Sequence, residues 1–230
     1  MRFLIGAGIV AVALPVLTAA EDPPLPSQLS PEQQGNLLEF LKAHRTPERY
    51  VPKNAKMADT APPAADLEIA ATKEKPIKQY IAQITPHRPT PDQPMPSKAD
   101  VYFYRPNPEK GKHGITVKHT VDLATGKQIG ETEVLTQAHT PVSREELAEA
   151  VAAAKTRSDT VKALYKNRDE KAVRWEYLQM KINRKSEQFE PGDRVVRFVF
   201  TAEPADGEAA PTPVRILVNL TKDTVIADDR

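Results

Sequence analysis

The sequence contains no cysteine, so disulfides, zinc ribbons, iron–sulfur sites and thiol catalysis are all excluded. Charge of one sign is also lacking: 32 Lys and Arg stand against 31 Asp and Glu, a formal net charge of +1. With no polybasic block, the footprint of a nucleic-acid binder is missing. Aromatic residues make up only 6% and glycine numbers 9. No nucleophile elbow, P-loop, dinucleotide fingerprint or EF-hand loop occurs. No apolar run after residue 20 is long enough to span a membrane.

Proline, by contrast, is abundant. Of the 22 prolines, 14 fall between residues 21 and 100, and Pro86–Pro96 holds a dense cluster that reads as an extended connecting loop. Ahead of them, Met1–Ala20 carries one early positive charge, an apolar run and the small residues Thr18-Ala19-Ala20. This is the shape of a secretory signal peptide cleaved after Ala20, an uncleaved anchor being the alternative; about 16 apolar residues is short for a span. The mature chain is accordingly expected to be exported, periplasmic or extracellular, with no membrane span after cleavage.

The remaining signals are local. Ser30-Pro31-Glu32-Gln33 predicts a capping box opening a helix with Leu37, Leu38 and Leu41 on its apolar stripe. Strands are predicted over 67–72, 77–84 and 101–104. In the next strand Ile115, Val117, Val121 and Leu123 alternate with polar residues. Ala124-Thr125-Gly126-Lys127 then turns the chain into a hairpin partner over 128–135. A second capping box, Ser143-Arg144-Glu145-Glu146, leads a helix bearing Leu147, Ala150, Val151 and Ala154, and Ser158-Asp159 marks a new cap. Val173, Trp175 and Tyr177 alternate before the apolar parity switches to Leu178, Met180 and Ile182, which predicts a bulge. Strands through Val196–Phe200 and Val214–Leu220 follow, and 225–228 is expected to pair back.

The order is helix then strands, twice, with echoes between Leu29–Gln33 and Val142–Glu146 and between Val121-Asp122-Leu123 and Val218-Asn219-Leu220. This predicts an α+β protein of two tandem units, each a helix packed on an antiparallel sheet. The division is residues 1–20 signal peptide, 21–27 linker, 28–137 first unit with its proline-rich loop at 86–97, and 138–230 second unit.

Read in series, these segments resemble the two N-terminal cystatin-like domains of copper amine oxidases. Leu29-Ser30-Pro31-Glu32 resembles that family's opening helix, and Glu74-Lys75-Pro76-Ile77-Lys78 its Glu-Pro-Pro-Lys segment with one extra residue. Asp100–Arg105 with His119–Lys127 is similar to the strand and hairpin that end the first domain. Pro141–Glu146, and Arg194–Phe200 with Val218-Asn219-Leu220, are similar to the opening and closing segments of the second. In the family, a tyrosine within Asn-Tyr-Asp/Glu becomes a quinone and three histidines bind copper. Here none of Tyr50, Tyr80, Tyr102, Tyr104, Tyr165 and Tyr177 follows an asparagine, and no His-x-His pair exists. The resemblance therefore implies a non-catalytic protein without cofactor or metal, working by protein contact, an amine-oxidase-like catalytic chain being the partner it points to. A small-ligand or peptide-binding module is the alternative.

Among the histidines His44, His87, His113, His119 and His139, His113 and His119 have the same strand parity and so could form a metal pair. His119 lies between Val117 and Val121, which predicts a hydrogen-bonded core histidine instead, with His113 in a loop. Asp206-Gly207-Glu208 and Asp228-Asp229 are expected to be solvated surface charge, and no catalytic, cofactor or metal residue is assigned.

Overall fold

A computed structural model describes residues 25–53, 55–57, 69–72, 76–109, 111–136, 139–166, 168–204, 209 and 211–228. The signal-peptide reading, Leu67, Glu74-Lys75, the Asp206–Glu208 loop and Asp229 lie outside them. The chain is α+β, and the described residues form three α-helices and sheets of five and four strands. Among the described residues no helix is long and apolar enough to cross a membrane.

Helix α1 (Pro31–Ala43) starts as its sequence dictates. The Gln33 amide donates to Ser30 Oγ at 3.2 Å and the Ser30 amide to Gln33 Oε1 at 3.0 Å, with Pro31 taking a position where no N–H is needed. It buries Leu37, Phe40 and Leu41. Phe40, three residues beyond Leu37, takes the place expected of Leu38, which is only half-buried.

Strands β1 (Ala55–Met57), β2 (Tyr80–Pro86), β3 (Lys98–Arg105), β4 (Ile115–Asp122) and β5 (Gln128–Thr136) form the first sheet in the order β1-β5-β4-β3-β2. All neighbours are antiparallel except β1, which runs parallel to β5. This sheet is therefore mixed and not the purely antiparallel one expected: the chain from α1 enters the far edge through β1 without a hairpin to reverse it. Ala99, Val101 and Phe103 lie opposite Val121, His119 and Val117 and close a core with α1. The β4–β5 turn needs Gly126: φ is +66°, and a Cβ there would stand 2.8 Å from the Asn36 carbonyl oxygen. The proline-rich stretch behaves as its rings require, because Pro86 ends β2 on the sheet edge and residues 87–97 connect to β3. Two predicted strands are corrected. The second starts at Tyr80 rather than 77, since β3 ends at Arg105 and Tyr104 is its last residue to find a partner there, in Tyr80. Instead of a strand, described residues 69–71 form a single bridge, Arg49 to Ala70, flanked by Tyr50 N–H to Ile69 O at 2.8 Å.

Helices α2 (Arg144–Arg157) and α3 (Asp159–Tyr165) precede β6 (Val173–Lys181), β7 (Arg194–Ala202), β8 (Val214–Asn219) and β9 (Thr224–Ala227). These four strands form an antiparallel meander. Leu147, Ala150, Val151 and Ala154 of α2, with Val161 and Leu164 of α3, pack on Val196, Phe198, Phe200, Ile216 and Val218. Burying that many aliphatic and aromatic side chains, each contributing about 1.5–3 kcal/mol, is what holds the helices down. No bulge interrupts β6, whose register with β7 is continuous from Val173–Ala202 to Lys181–Arg194. The parity switch has another cause: Leu178 and Met180 lie on the face turned away from the helices, where Met180 and Ile182 line a shallow trough with Phe189 and Leu217.

Candidate functional site between the two sheets

The second face of β3 is where the two sheets meet. Tyr80 pairs with Tyr104 across β2 and β3, placing both rings on the face away from α1. Tyr104 is only 9% exposed because the guanidinium of Arg194, the first residue of β7, lies 4.1 Å over its ring. Gly114 makes room, since a Cβ there would fall 2.5 Å from the Tyr104 hydroxyl. Burial pushes the Tyr104 hydroxyl up to about 12, outweighing the Arg194 guanidinium, which pulls it down.

Arg194 is the keystone of this joint. Its Nε and Nη2 donate to Glu146 Oε1 at 2.5 Å and Oε2 at 2.9 Å, with both side chains buried. Its remaining donors reach the carbonyls of Thr140 at 2.9 Å and Pro141 at 2.6 Å, fastening the connection that enters α2. Glu146 also accepts from the Ser143 amide at 2.9 Å, closing the helix capping box. A buried pair with every donor and acceptor engaged is the arrangement in which mutual attraction offsets desolvation.

Beside it, the Asp193 carboxylate is fully buried. It accepts from the Glu190 amide at 2.9 Å, Asn219 Nδ2 at 2.8 Å and His113 Nε2 at 3.1 Å, with Lys222 Nζ at 3.5 Å. Burial alone would raise its pKa; these hydrogen bonds and the lysine outweigh burial and hold the carboxyl below the usual carboxylate value. The Gly111 amide donates to the Thr221 carbonyl at 3.1 Å, adding a backbone tie.

Next to the joint opens a cleft of about 720 Å³ walled by Ile77, Tyr80, Tyr104, Ala152 and Leu220. Lys78 pairs with Glu149 at 3.1 Å and Arg157 with Asp223 at 2.6 Å along its rim. The Tyr80 hydroxyl donates to Glu149 at 2.9 Å; burial and that carboxylate both push its pKa upward. The cleft thus offers apolar and aromatic walls with paired charges at its mouth.

The five histidines are distributed among separate environments. His113 sits in a loop at the joint, as expected. His119 is a buried core residue whose Nδ1 lies 2.8 Å from Gln128 Oε1. Gln128 Nε2 donates to Gly130 O and Thr132 Oγ1, so its oxygen faces the ring and His119 Nδ1–H is the donor. His119 Nε2 finds no partner among the rings of Phe40, Phe103 and His44. Burial above all lowers its pKa to about 4. The structure does not bring His113 and His119 together. His44 caps α1 and stacks on Phe40 at 4.0 Å, His87 pairs with Asp100 at 3.2 Å, and His139 is exposed on the connection before α2. Among the described residues no three His, Asp or Glu side chains gather where an ion could sit.

Sequence reasoning assigned Glu146 to its capping box and Arg194 to a closing strand, and joined neither to Tyr104. The one local signal was Val101-Tyr102-Phe103-Tyr104, where large side chains occupy both faces of a strand that only one core can use.

The chain is an α+β protein whose two sheets meet where Arg194, held by its buried pair with Glu146, lies over Tyr104 and where His113 reaches Asp193. No protein-family model matches it, and no curated protein does.

Proposed function

We propose that the chain is an exported, non-catalytic protein of two tandem cystatin-like units, similar to the accessory N-terminal domains of copper amine oxidases, that acts by protein contact. The observation that supports this best is the joint: Glu146 with Arg194, Asp193 with His113 and Lys78 with Glu149 satisfy one another. Groups engaged in this way hold a surface in a fixed shape, whereas turnover needs an acid, base or nucleophile free to exchange protons or bonds. The order of helix then strands, met twice with a serine capping box each time, supports the tandem arrangement. An amine-oxidase-like catalytic chain is the partner that the resemblance points to. The test is purification of the tagged chain from its native host under non-denaturing conditions. A second protein held at fixed stoichiometry through gel filtration is the expected result; quinone absorbance or stoichiometric copper in the purified chain overturns the reading.

The cleft favours a second reading, a small-ligand or peptide-binding module, because its volume suits a compact apolar molecule. A thermal-shift screen against amines, quinones and peptides separates the two. Ligand at a hundred times Kd adds about 2.7 kcal/mol, and unchanged melting throughout rejects this reading.

A further inference from the structure

Strand β6 is a free edge of the second sheet. The Glu203 amide donates to the Ala172 carbonyl and the Gly192 amide to the Ile182 carbonyl, which fixes the alternation along the strand. Backbone groups of even-numbered residues face β7 and those of odd-numbered residues face outward. The Val173 amide turns back to the Glu170 carbonyl. Trp175, Tyr177, Gln179 and Lys181 therefore direct their backbone donors and acceptors outward, with no backbone partner among the described residues. The edge is nine residues long, has no proline and keeps an unbroken register, so charge on Arg174, Glu176 and Lys181 is the one device along it that could blunt such a template. The midpoint of those four residues is Leu178, at 59% exposure the most exposed large hydrophobic among the described residues, with Tyr177 at 43% beside it.

We infer that β6 pairs antiparallel with β6 of a second copy of this chain about a two-fold axis through Leu178, fusing two four-stranded sheets into one of eight. In this register Trp175 faces the partner's Lys181 and Tyr177 faces the partner's Gln179. All four outward-facing residues of each copy gain a partner, giving about eight backbone hydrogen bonds. Leu178 meets the partner's Leu178 at a non-hydrogen-bonded position, where side chains approach most closely.

Charge selects this register over its neighbours. Arg174, Glu176 and Lys181 all fall opposite uncharged residues, and the Lys181 ammonium lies against the indole of the partner's Trp175. An axis through Glu176 would oppose two carboxylates, and one through Gln179 would set Arg174 against the partner's Arg184. An axis through Tyr177 would place Lys181 opposite the partner's Val173, whose amide is already engaged.

The absence of cysteine makes the test clean, because Leu178→Cys would carry the only thiol. A non-hydrogen-bonded antiparallel pair holds its Cβ atoms about 4.5–5.5 Å apart, close to what a disulfide spans. Mild oxidation of Leu178→Cys is expected to give a covalent dimer. Arg174→Cys, on the same face but about 26 Å from its own copy at 3.3 Å per residue, should stay uncrosslinked. Sedimentation equilibrium of the unmodified protein should give twice the chain mass. Leu178→Arg, which sets two guanidinium groups at the axis while leaving the β6–β7 ladder intact, should return a monomer with an unchanged circular dichroism spectrum. An unmodified protein that is monomeric up to its solubility limit overturns the inference, as does crosslinking of Arg174→Cys at the rate of Leu178→Cys. A monomer whose β6 instead takes up an extended peptide of another protein overturns it too.

Discussion

Acidification should destabilise the first layer through one side chain, His119. Buried between Phe40 and Phe103, its imidazole is held neutral down to about 4, against an ordinary value of 6.5. Between those two values the unfolded chain takes up a proton that the folded chain refuses, so stability falls as pH falls through this window. Above 6.5 the group contributes no pH dependence, and below 4 the loss is complete. At about 1.4 kcal/mol per pH unit, the full effect is about 3 kcal/mol, and roughly 2.5 kcal/mol of it is expressed by pH 4.5. That is a large share of the roughly 5–15 kcal/mol typical of a folded domain. Asp100 and Asp193 also have lowered values, but their contribution is present above their ordinary 3.8 and is lost only as pH falls below it, outside the histidine window. The assay is urea unfolding from pH 7.5 to 4.5 for the natural protein and His119→Phe, whose ring suits the aromatic neighbours and cannot titrate. The exposed His139 is common to both proteins and cancels in the comparison. His119→Phe should be less stable at pH 7.5, through loss of the Gln128 hydrogen bond, yet nearly flat with pH. Parallel pH curves for the two proteins would refute the reasoning.

Glu146→Gln keeps a capping side chain but leaves Arg194 buried beside a neutral amide; a loss of about 3–5 kcal/mol in denaturant unfolding is expected, with partial recovery when Arg194→Met is added. Ser30→Ala should cost about 1 kcal/mol by the same measurement, through an unmet amide at the start of α1. Gly126→Ala should lower the melting temperature, with a penalty above about 1 kcal/mol, because it adds a Cβ at positive φ against the Asn36 carbonyl. Tyr80→Phe removes only the hydrogen bond to Glu149 and should cost about 0.5–1.5 kcal/mol; a larger loss would place more of the joint's stability on that hydroxyl than the geometry allows.

What was legible in the sequence was local. Both serine capping boxes, the break at Ser158 and the Gly126 turn each depend on residues within four positions of one another, and each forms where expected. Alternation over 115–123 gave the buried face of β4, His119 included. What escaped depends on distance along the chain. Lys56 meets Glu133 in a parallel pairing, and Arg194 meets Glu146 and Tyr104; no spacing rule reaches so far. The apolar parity switch at Leu178 was legible as a pattern, but a bulge and a second apolar face produce the same pattern, and only the register with β7 separates them.

Strand β3 is a party wall. On one side Val101 and Phe103 belong to the layer under α1, and on the other Tyr104 is roofed by a side chain from the far half of the molecule. A cut in the connection ahead of Thr140 would strip that roof, wetting two tyrosine rings on one fragment and leaving Arg194 on the other with its carbonyl acceptors but without the ring it covers. Each half, expressed or exchanged alone, would therefore present at this seam a surface that the other now covers.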